Sequence, residues 1–199
     1  EPDTEEAPTL IEEVVPITED SQYDKGELYG MGVDPDGRVS IFWRAERSDG
    51  QHDLVISQSD PQVSMFNPPV PVLTDVAPLG ITAGGGIDMD GATHLLTWRD
   101  DSDTGANQIV FRRADMPTLA GVDVVLAEST SDTLYRPHIA WRSPDLCVVW
   151  QRAGSAEVSS VVMRCSQDAG VTFGDELKVN GAEATASVVE AIGSSSQAA

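Results

Sequence analysis

Three stretches of the chain share one polarity pattern: "RVSIFWR" (38–44), "THLLTWR" (93–99) and "LCVVWQR" (146–152). Each is a short apolar run, rich in Val, Ile, Leu and Phe, closed by a tryptophan and an arginine or glutamine. The tryptophans, Trp43, Trp98 and Trp150, lie 55 and 52 residues apart. A polar loop follows each time ("AERSDGQHD", "DDSDTGANQ", "RAGSAEVSS"), then a second apolar run ("LVIS", "IVFRR", "VVMRCS"), then Asp60, Asp115 or Asp168. The distances from tryptophan to aspartate are 17, 17 and 18 residues. Runs of this length, composition and spacing predict β-strands.

Each unit gains a strand on either side. "YGMGVD" (29–34), "AGGGID" (83–88) and "RPHIAW" (136–141) precede the tryptophan strands, joined to them by "PDG", "MDG" and "RSPD". These joints carry hairpin chemistry. "PVPVL" (69–73), "VDVVL" (122–126) and "ELKVN" (176–180) close the units. Four short antiparallel strands in about 50 residues is the period of a β-propeller blade, not of a helical solenoid. The predicted fold is all-β, with blades over approximately 21–75, 76–128 and 129–180. Residues 8–17, "TLIEEVVPI" with the proline before it, resemble a blade's fourth strand standing upstream of the first unit. Residues 181–199 shift to Ala, Ser and Gly and are expected to be a linker or tail.

The hairpin after the third unit's third strand reads "CSQDAGVTFG" (165–174). Its S-x-D-x-G-x-T-F order, in Ser166, Asp168, Gly170, Thr172 and Phe173, resembles the Asp-box of sialidase-like β-propellers. Two worn copies stand at 59–66, "SDPQVSMF", and at 113–119, "RADMPTL". In the first, the serine and the final aromatic survive; in the second, little beyond the aspartate remains. Short polar side chains here take up backbone N–H groups in a tight turn, and Gly170 permits a left-handed backbone. The resemblance implies a sialidase-like propeller of three four-stranded blades, half of a six-bladed ring or part of a larger propeller, with this turn away from the functional face.

The resemblance also implies what catalysis would need: three arginines, a tyrosine nucleophile with a glutamate partner, and an aspartate. "YRPH" (135–138) is the nearest approach to the family's F/Y-R-I-P motif, lacks its isoleucine, and falls in the third unit. Tyr23, Tyr29 and Tyr135 are the three tyrosines, and no complete set maps onto the chain. Arg44, Arg99 and Arg152, which occupy repeat positions, and Arg136 are the candidate ligand-binding residues; guanidinium suits carboxylates. No catalytic residue is assigned. His52, His94 and His138 sit on different strands or loops with no nucleophile elbow. No cofactor is expected. Calcium has its candidates in Asp100, Asp101 and Asp103, although no calcium loop with a distal glutamate is spaced for it.

Charge narrows the partners. Twelve basic against 33 acidic residues give a net charge of −21. Such a chain repels nucleic acid and anionic membrane surfaces, and no apolar run is long enough to span a bilayer. Residues 1–20 hold eight carboxylates and no base, which predicts a solvated acidic arm. Centring the third hairpin near Ala156 puts Trp150 opposite Val162 and Cys147 opposite Cys165. That register predicts a disulfide and an oxidising compartment: secreted, periplasmic or cell-surface. Three blades leave open sheet edges, which favour pairing with a protein partner or a second copy. The leading expectation is a non-catalytic extracellular propeller module for binding or assembly, with a glycan or protein as partner. Its rivals are a glycosidase whose site is completed by other blades or another subunit, and a structural subunit of an extracellular complex.

Overall fold

The structure is a computed structural model and describes residues 22–76, 84–101, 106–154 and 159–180. The acidic arm, the upstream strand at 8–17 and the tail at 181–199 lie outside these residues, as does Asp103. Blade 1 contains β1 (Tyr23–Val33), β2 (Val39–Arg47), β3 (His52–Gln58) and β4 (Val70–Val76). Blade 2 contains β5 (Gly85–Asp90), β6 (Thr93–Asp101), β7 (Asn107–Asp115) and β8 (Asp123–Ser129). Blade 3 contains β9 (Thr133–Arg142), β10 (Asp145–Ala153), β11 (Ser159–Ser166) and the two-residue β12 (Leu177–Lys178). Each blade is a four-stranded antiparallel sheet whose strands are hydrogen-bonded in chain order. The described residues contain no helix. The chain is all-β: three consecutive four-stranded blades of a β-propeller.

The tryptophan repeat is a register repeat. Trp43 pairs with Val55, Trp98 with Val110 and Trp150 with Val162, each a valine on the third strand. The polar loops are long enough to let both strands run past that pair before turning. Cys147 pairs with Cys165 as predicted, and the two are bonded, with Cα atoms 4.1 Å apart. The outer strands differ somewhat from the predicted spans. β4 and β8 run to Val76 and Ser129, three residues beyond their apolar patterns, because the backbone ladder continues through polar residues. β12 is shorter than predicted, with only Val162–Lys178 and Met163–Leu177 pairing.

The apolar faces that the alternation predicts pack between blades. Phe42, Leu54 and Ile56 of blade 1 meet Ile87, Leu96 and Trp98 of blade 2 in one cluster. Leu95, Ile109 and Phe111 of blade 2 meet Leu146, Val148 and Trp150 of blade 3 in a second. Trp98 and Trp150 are essentially inaccessible to solvent. Near the inner strands, glycines set how closely blades approach. A Cβ added at Gly30 would sit 3.3 Å from Ile87 Cγ2, and one at Gly32 would sit 2.9 Å from Met89 Cγ. The "YGMGVD" pattern is thus a track of missing side chains that receives the next blade.

Polar ties supplement this packing. Arg112 sends Nε and Nη2 to Asp123, at 2.6 and 3.0 Å, and Nη1 to the Val72 carbonyl of blade 1 at 2.8 Å. Its guanidinium lies 5.2 Å from the Trp98 ring centroid, a cation–π contact. Ser40 of blade 1 and His94 Nε2 of blade 2 are 2.8 Å apart, both fully buried. Burial holds the His94 imidazole below its ordinary pKa.

Candidate functional site

Two irregularities on the inner strands place the chain's most distinctive polar groups. In β1 the register slips between Leu28, opposite Trp43, and Gly30, opposite Phe42. Tyr29 is the extra residue of this bulge. Its ring is buried, edge-on to Phe42 with centroids 5.5 Å apart. Its hydroxyl is buried with no hydrogen-bond partner. Burial pushes the phenol's pKa well up; the charges of Arg44 and Arg99 act against this, and that of Glu27 adds to it. A bulge turns a strand and re-aims the side chain it carries, and here it turns a tyrosine inward among charged neighbours.

The second slip lies in β9, where His138 pairs with Val149 but Tyr135 pairs with Gln151. Arg136 falls within it, with φ of +52°. Non-glycine residues pay for this left-handed conformation. Arg136 is exposed and forms no ion pair among the described residues. Its backbone rests on blade 2, because Gly84, itself at φ +66°, would carry a Cβ only 3.1 Å from Arg136 Cα. The Arg99 amide donates to the Gly84 carbonyl at 3.4 Å. Next in sequence, Gly85 lies against the Tyr29 ring. Tyr29, Gly84, Gly85, Arg99 and Arg136 therefore form one contiguous patch, where the middle of β1 meets the start of β5 and the first half of β9.

The four candidate arginines separate. Arg44 pairs with Glu27 at 3.3 Å, and Arg99 makes a two-pronged contact with Asp101 at 2.7 and 2.9 Å. Both are in electrostatic range of Tyr29, so the structure brings them to the patch together with Arg136. Arg152 instead reaches Glu176, beside the outermost strand, at 2.6 and 2.8 Å. The partners Glu27 and Glu176 were not singled out in the sequence, and Asp101 was named only as a calcium candidate. Arg44 and Glu27 are cross-strand neighbours, so the strand register was the one signal that could have found that pair.

Two of the calcium candidates have partners within the protein, and the third, Asp103, lies outside the described residues. Asp101 is the partner of Arg99, and Asp100 also interacts within the protein. Among the described residues no group of three or more His, Cys, Asp or Glu is placed to hold a metal ion. Asp34 accepts from the Asp36 and Arg38 amides, both at 2.9 Å, and so serves its own turn. Asp88 accepts from the Met89 amide at 2.8 Å and from the Trp141 amide of blade 3 at 2.9 Å. Burial raises the pKa of Asp88 despite these donors.

The turn at 166–173 lies at the opposite end of the blade. Ser166 pairs with Leu146, which pairs with Trp141, the far end of β9 from Arg136. Ser166 Oγ donates to Asp168 at 2.7 Å and accepts from the Gly170 amide at 2.8 Å. Asp168 accepts from both the amide and hydroxyl of Thr172, at 2.8 and 2.6 Å. The Thr172 hydroxyl, then Ser166, hold the Asp168 carboxyl down at about 2. Gly170 has φ of +86° and lies against Phe111 of blade 2, and Phe173 meets the same ring edge-on at 5.2 Å. Arg113 of blade 2 donates to the Ala169 carbonyl at 3.0 Å and pairs with Asp90. The turn therefore also clasps blade 3 to blade 2, which its own sequence does not disclose. The copy in blade 1 keeps more than its serine and aromatic: Asp60 accepts from the amide and hydroxyl of Ser64, at 2.7 and 2.5 Å. An aspartate followed four residues later by a hydroxyl is the signal common to both turns.

No protein-family model matches the chain, and no curated protein does. Solved structures do. The α-L-arabinanase of Penicillium chrysogenum, complexed with arabinobiose, superposes with a TM-score of 0.58 at 13% identity, over 86% of this chain and 55% of its own. A thermostable family-43 glycoside hydrolase gives 0.48 at 15% identity, over 80% and 54%. A microbial sialidase, Hz136, gives 0.45 at 12%, over 82% and 32%. The chain spans about half the length of the first two. At such identities the likeness is one of fold. The class is that of the β-propellers, an architecture this chain has in common with glycoside hydrolases.

Proposed function

We propose that the chain is a non-catalytic extracellular β-propeller module that binds a glycan at the patch formed by Tyr29 of β1, the start of β5 and Arg136 of β9. The observation that carries this reading is Arg136: exposed, held in a left-handed bulge, unpaired among the described residues, and seated on Gly84 beside Tyr29. A planar guanidinium with free donors suits a carboxylate, so the preferred glycan is one carrying an acidic sugar. The Tyr29 hydroxyl, buried without a partner, is a second group that a ligand or water could satisfy. The likeness to the arabinanase supports a glycan as the ligand class. The cross-strand disulfide supports a secreted, periplasmic or cell-surface location. The Ser166–Asp168–Thr172 turn supports the reading of blade 3 as an Asp-box blade.

Calorimetric titration against neutral and carboxylated oligosaccharides, with release of reducing ends followed on the same samples, tests the proposal. The expected result is binding of carboxylated glycans without turnover, weakened about tenfold or more by Arg136→Ala, as loss of a charge-assisted contact predicts. Turnover would favour the glycosidase reading. Absence of binding to every glycan would leave the protein-partner reading.

A further inference from the structure

No ion pair among the described residues holds Arg136, so its placement has to come from the backbone. That backbone is in an unfavourable state. A φ of +52° puts a non-glycine residue in the left-handed region, where the β-carbon is crowded. The next residue is Pro137, and a proline ring drives the residue before it toward extended backbone. Both local preferences oppose the conformation that β9 adopts here. Left to them, the strand would straighten and the bulge that presents Arg136 would be drawn out.

The inner strand of blade 2 opposes that straightening. Three of its positions, two residues apart and so on one face, meet β9. Gly84 lies under Arg136: a Cβ there would sit 3.1 Å from Arg136 Cα, 3.6 Å from its amide nitrogen and 3.8 Å from its Cγ. Gly86 lies under the following residues, where a Cβ would sit 3.3 Å from both His138 Cα and the Ile139 amide nitrogen. Asp88 ends the track with a carboxylate that accepts from the Trp141 amide at 2.9 Å. Two missing side chains let β9 settle onto β5, and one acceptor fixes its far end. At Gly84 this close approach coincides with the bulge. The stem of Arg136 passes over the glycine together with the backbone, so the direction of the guanidinium is set there.

We infer that Gly84 is the positioning residue of the Arg136 site: the space left over it, continued at Gly86 and anchored at Asp88, keeps Arg136 left-handed and aims its guanidinium. The inference rests on the reading of Arg136 as the group that meets a carboxylated ligand. Gly84 acts only through Arg136. Blade 2 also supplies a matched control. Gly91 has φ of +61°, close to the +66° of Gly84, but a Cβ there would meet nothing within 4 Å. Alanine carries the same left-handed backbone strain at either position. Only at Gly84 does it also meet β9.

Backbone chemical shifts of Arg136 in the isotope-labelled chain, read beside calorimetric titration with trigalacturonic acid, test it. The wild-type shifts at Arg136 are those of a left-handed residue. Gly84→Ala moves them to the extended range and weakens binding about tenfold, as loss of a charge-assisted contact predicts. Gly91→Ala changes neither. Gly84→Ala adds no further loss in an Arg136→Ala background, whereas general damage to the fold would add to it. Asp88→Asn, which keeps the size of the side chain but turns a donor toward one of the two amides, gives the same two changes to a lesser degree. Left-handed shifts retained in both variants overturn the inference, and so does a second tenfold loss in the Arg136→Ala background. A wild-type chain without affinity for trigalacturonic acid removes the acidic-glycan reading, and the Arg136 shifts then decide the positioning role by themselves.

Discussion

Replacing Gly85 with alanine puts one methyl group into the junction between blades 1 and 2. Built on the present backbone, that carbon would lie 2.4 Å from Tyr29 Cδ2, 3.1 Å from Tyr29 Cε2 and 2.8 Å from the Thr97 carbonyl oxygen. Carbon atoms pack comfortably at roughly 3.5–4.0 Å, so the methyl overlaps the ring by about 1 Å. Neither neighbour yields easily. Thr97 O is backbone of the paired strand, and Tyr29 is fixed by its bulge and by Phe42. Overpacking a close-packed site costs about 1–3 kcal/mol, and two unyielding neighbours argue for the upper end. For a chain of this length each kcal/mol moves the melting temperature by about 2–4 °C, so a drop of roughly 6–12 °C is expected. Urea denaturation followed by tryptophan fluorescence, with calorimetry alongside, measures it. Gly154→Ala is the control: its new carbon would meet only an Asp132 carboxylate oxygen at 3.4 Å, and little change is expected. In a Tyr29→Ala background the cost of Gly85→Ala should shrink by about 1 kcal/mol or more, since contacting residues couple. A Gly85→Ala protein within about 0.5 kcal/mol of wild type, or an undiminished cost in that background, refutes the account.

Two further predictions concern other ties. Burial keeps His94 neutral in the folded protein, so above the ordinary histidine pKa of about 6.5 neither state binds its proton and stability is unaffected. As pH falls below that value the unfolded chain takes up a proton that the folded one refuses, and stability is lost at up to about 1.4 kcal/mol per pH unit. Melting temperatures from pH 7.5 to 5 should therefore fall less steeply for His94→Asn than for wild type; equal slopes would contradict this origin. The disulfide closes a loop across a sequence separation of 18. Replacing both Cys147 and Cys165 by serine should cost about 3 kcal/mol on the chain-entropy account, read as a lowered urea midpoint; an unchanged midpoint would show that the bridge does not restrain the unfolded chain.

The blade plan was legible because it rests on a two-residue alternation and on turn chemistry, both local. The tryptophan–aspartate interval marked the repeat, the hairpin turns between apolar runs indicated which strands pair, and the pairing of Cys147 with Cys165 followed from counting outward from the hairpin. The candidate patch was legible only in part. Arg44, Arg99 and Arg136 could be named, but not that they gather near Tyr29, nor that Arg152 departs to Glu176. A bulge is a property of two strands together: nothing in "ELYGM" or "LYRPH" marks Tyr29 or Arg136 as the extra residue. The clasp of the 166–173 turn on Phe111 and Arg113 joins residues more than 50 positions apart, and no local pattern encodes that distance.

By itself, then, the sequence determined the strands, their order, the disulfide and the net charge of −21, since each depends on neighbours along the chain or on summed charge. Tertiary structure decided which faces meet and which of the four candidate arginines are paired with a carboxylate among the described residues. Those outcomes depend on how closely blades approach. That distance is set at Gly30, Gly32 and Gly85 by the side chains the neighbouring blade happens to place there.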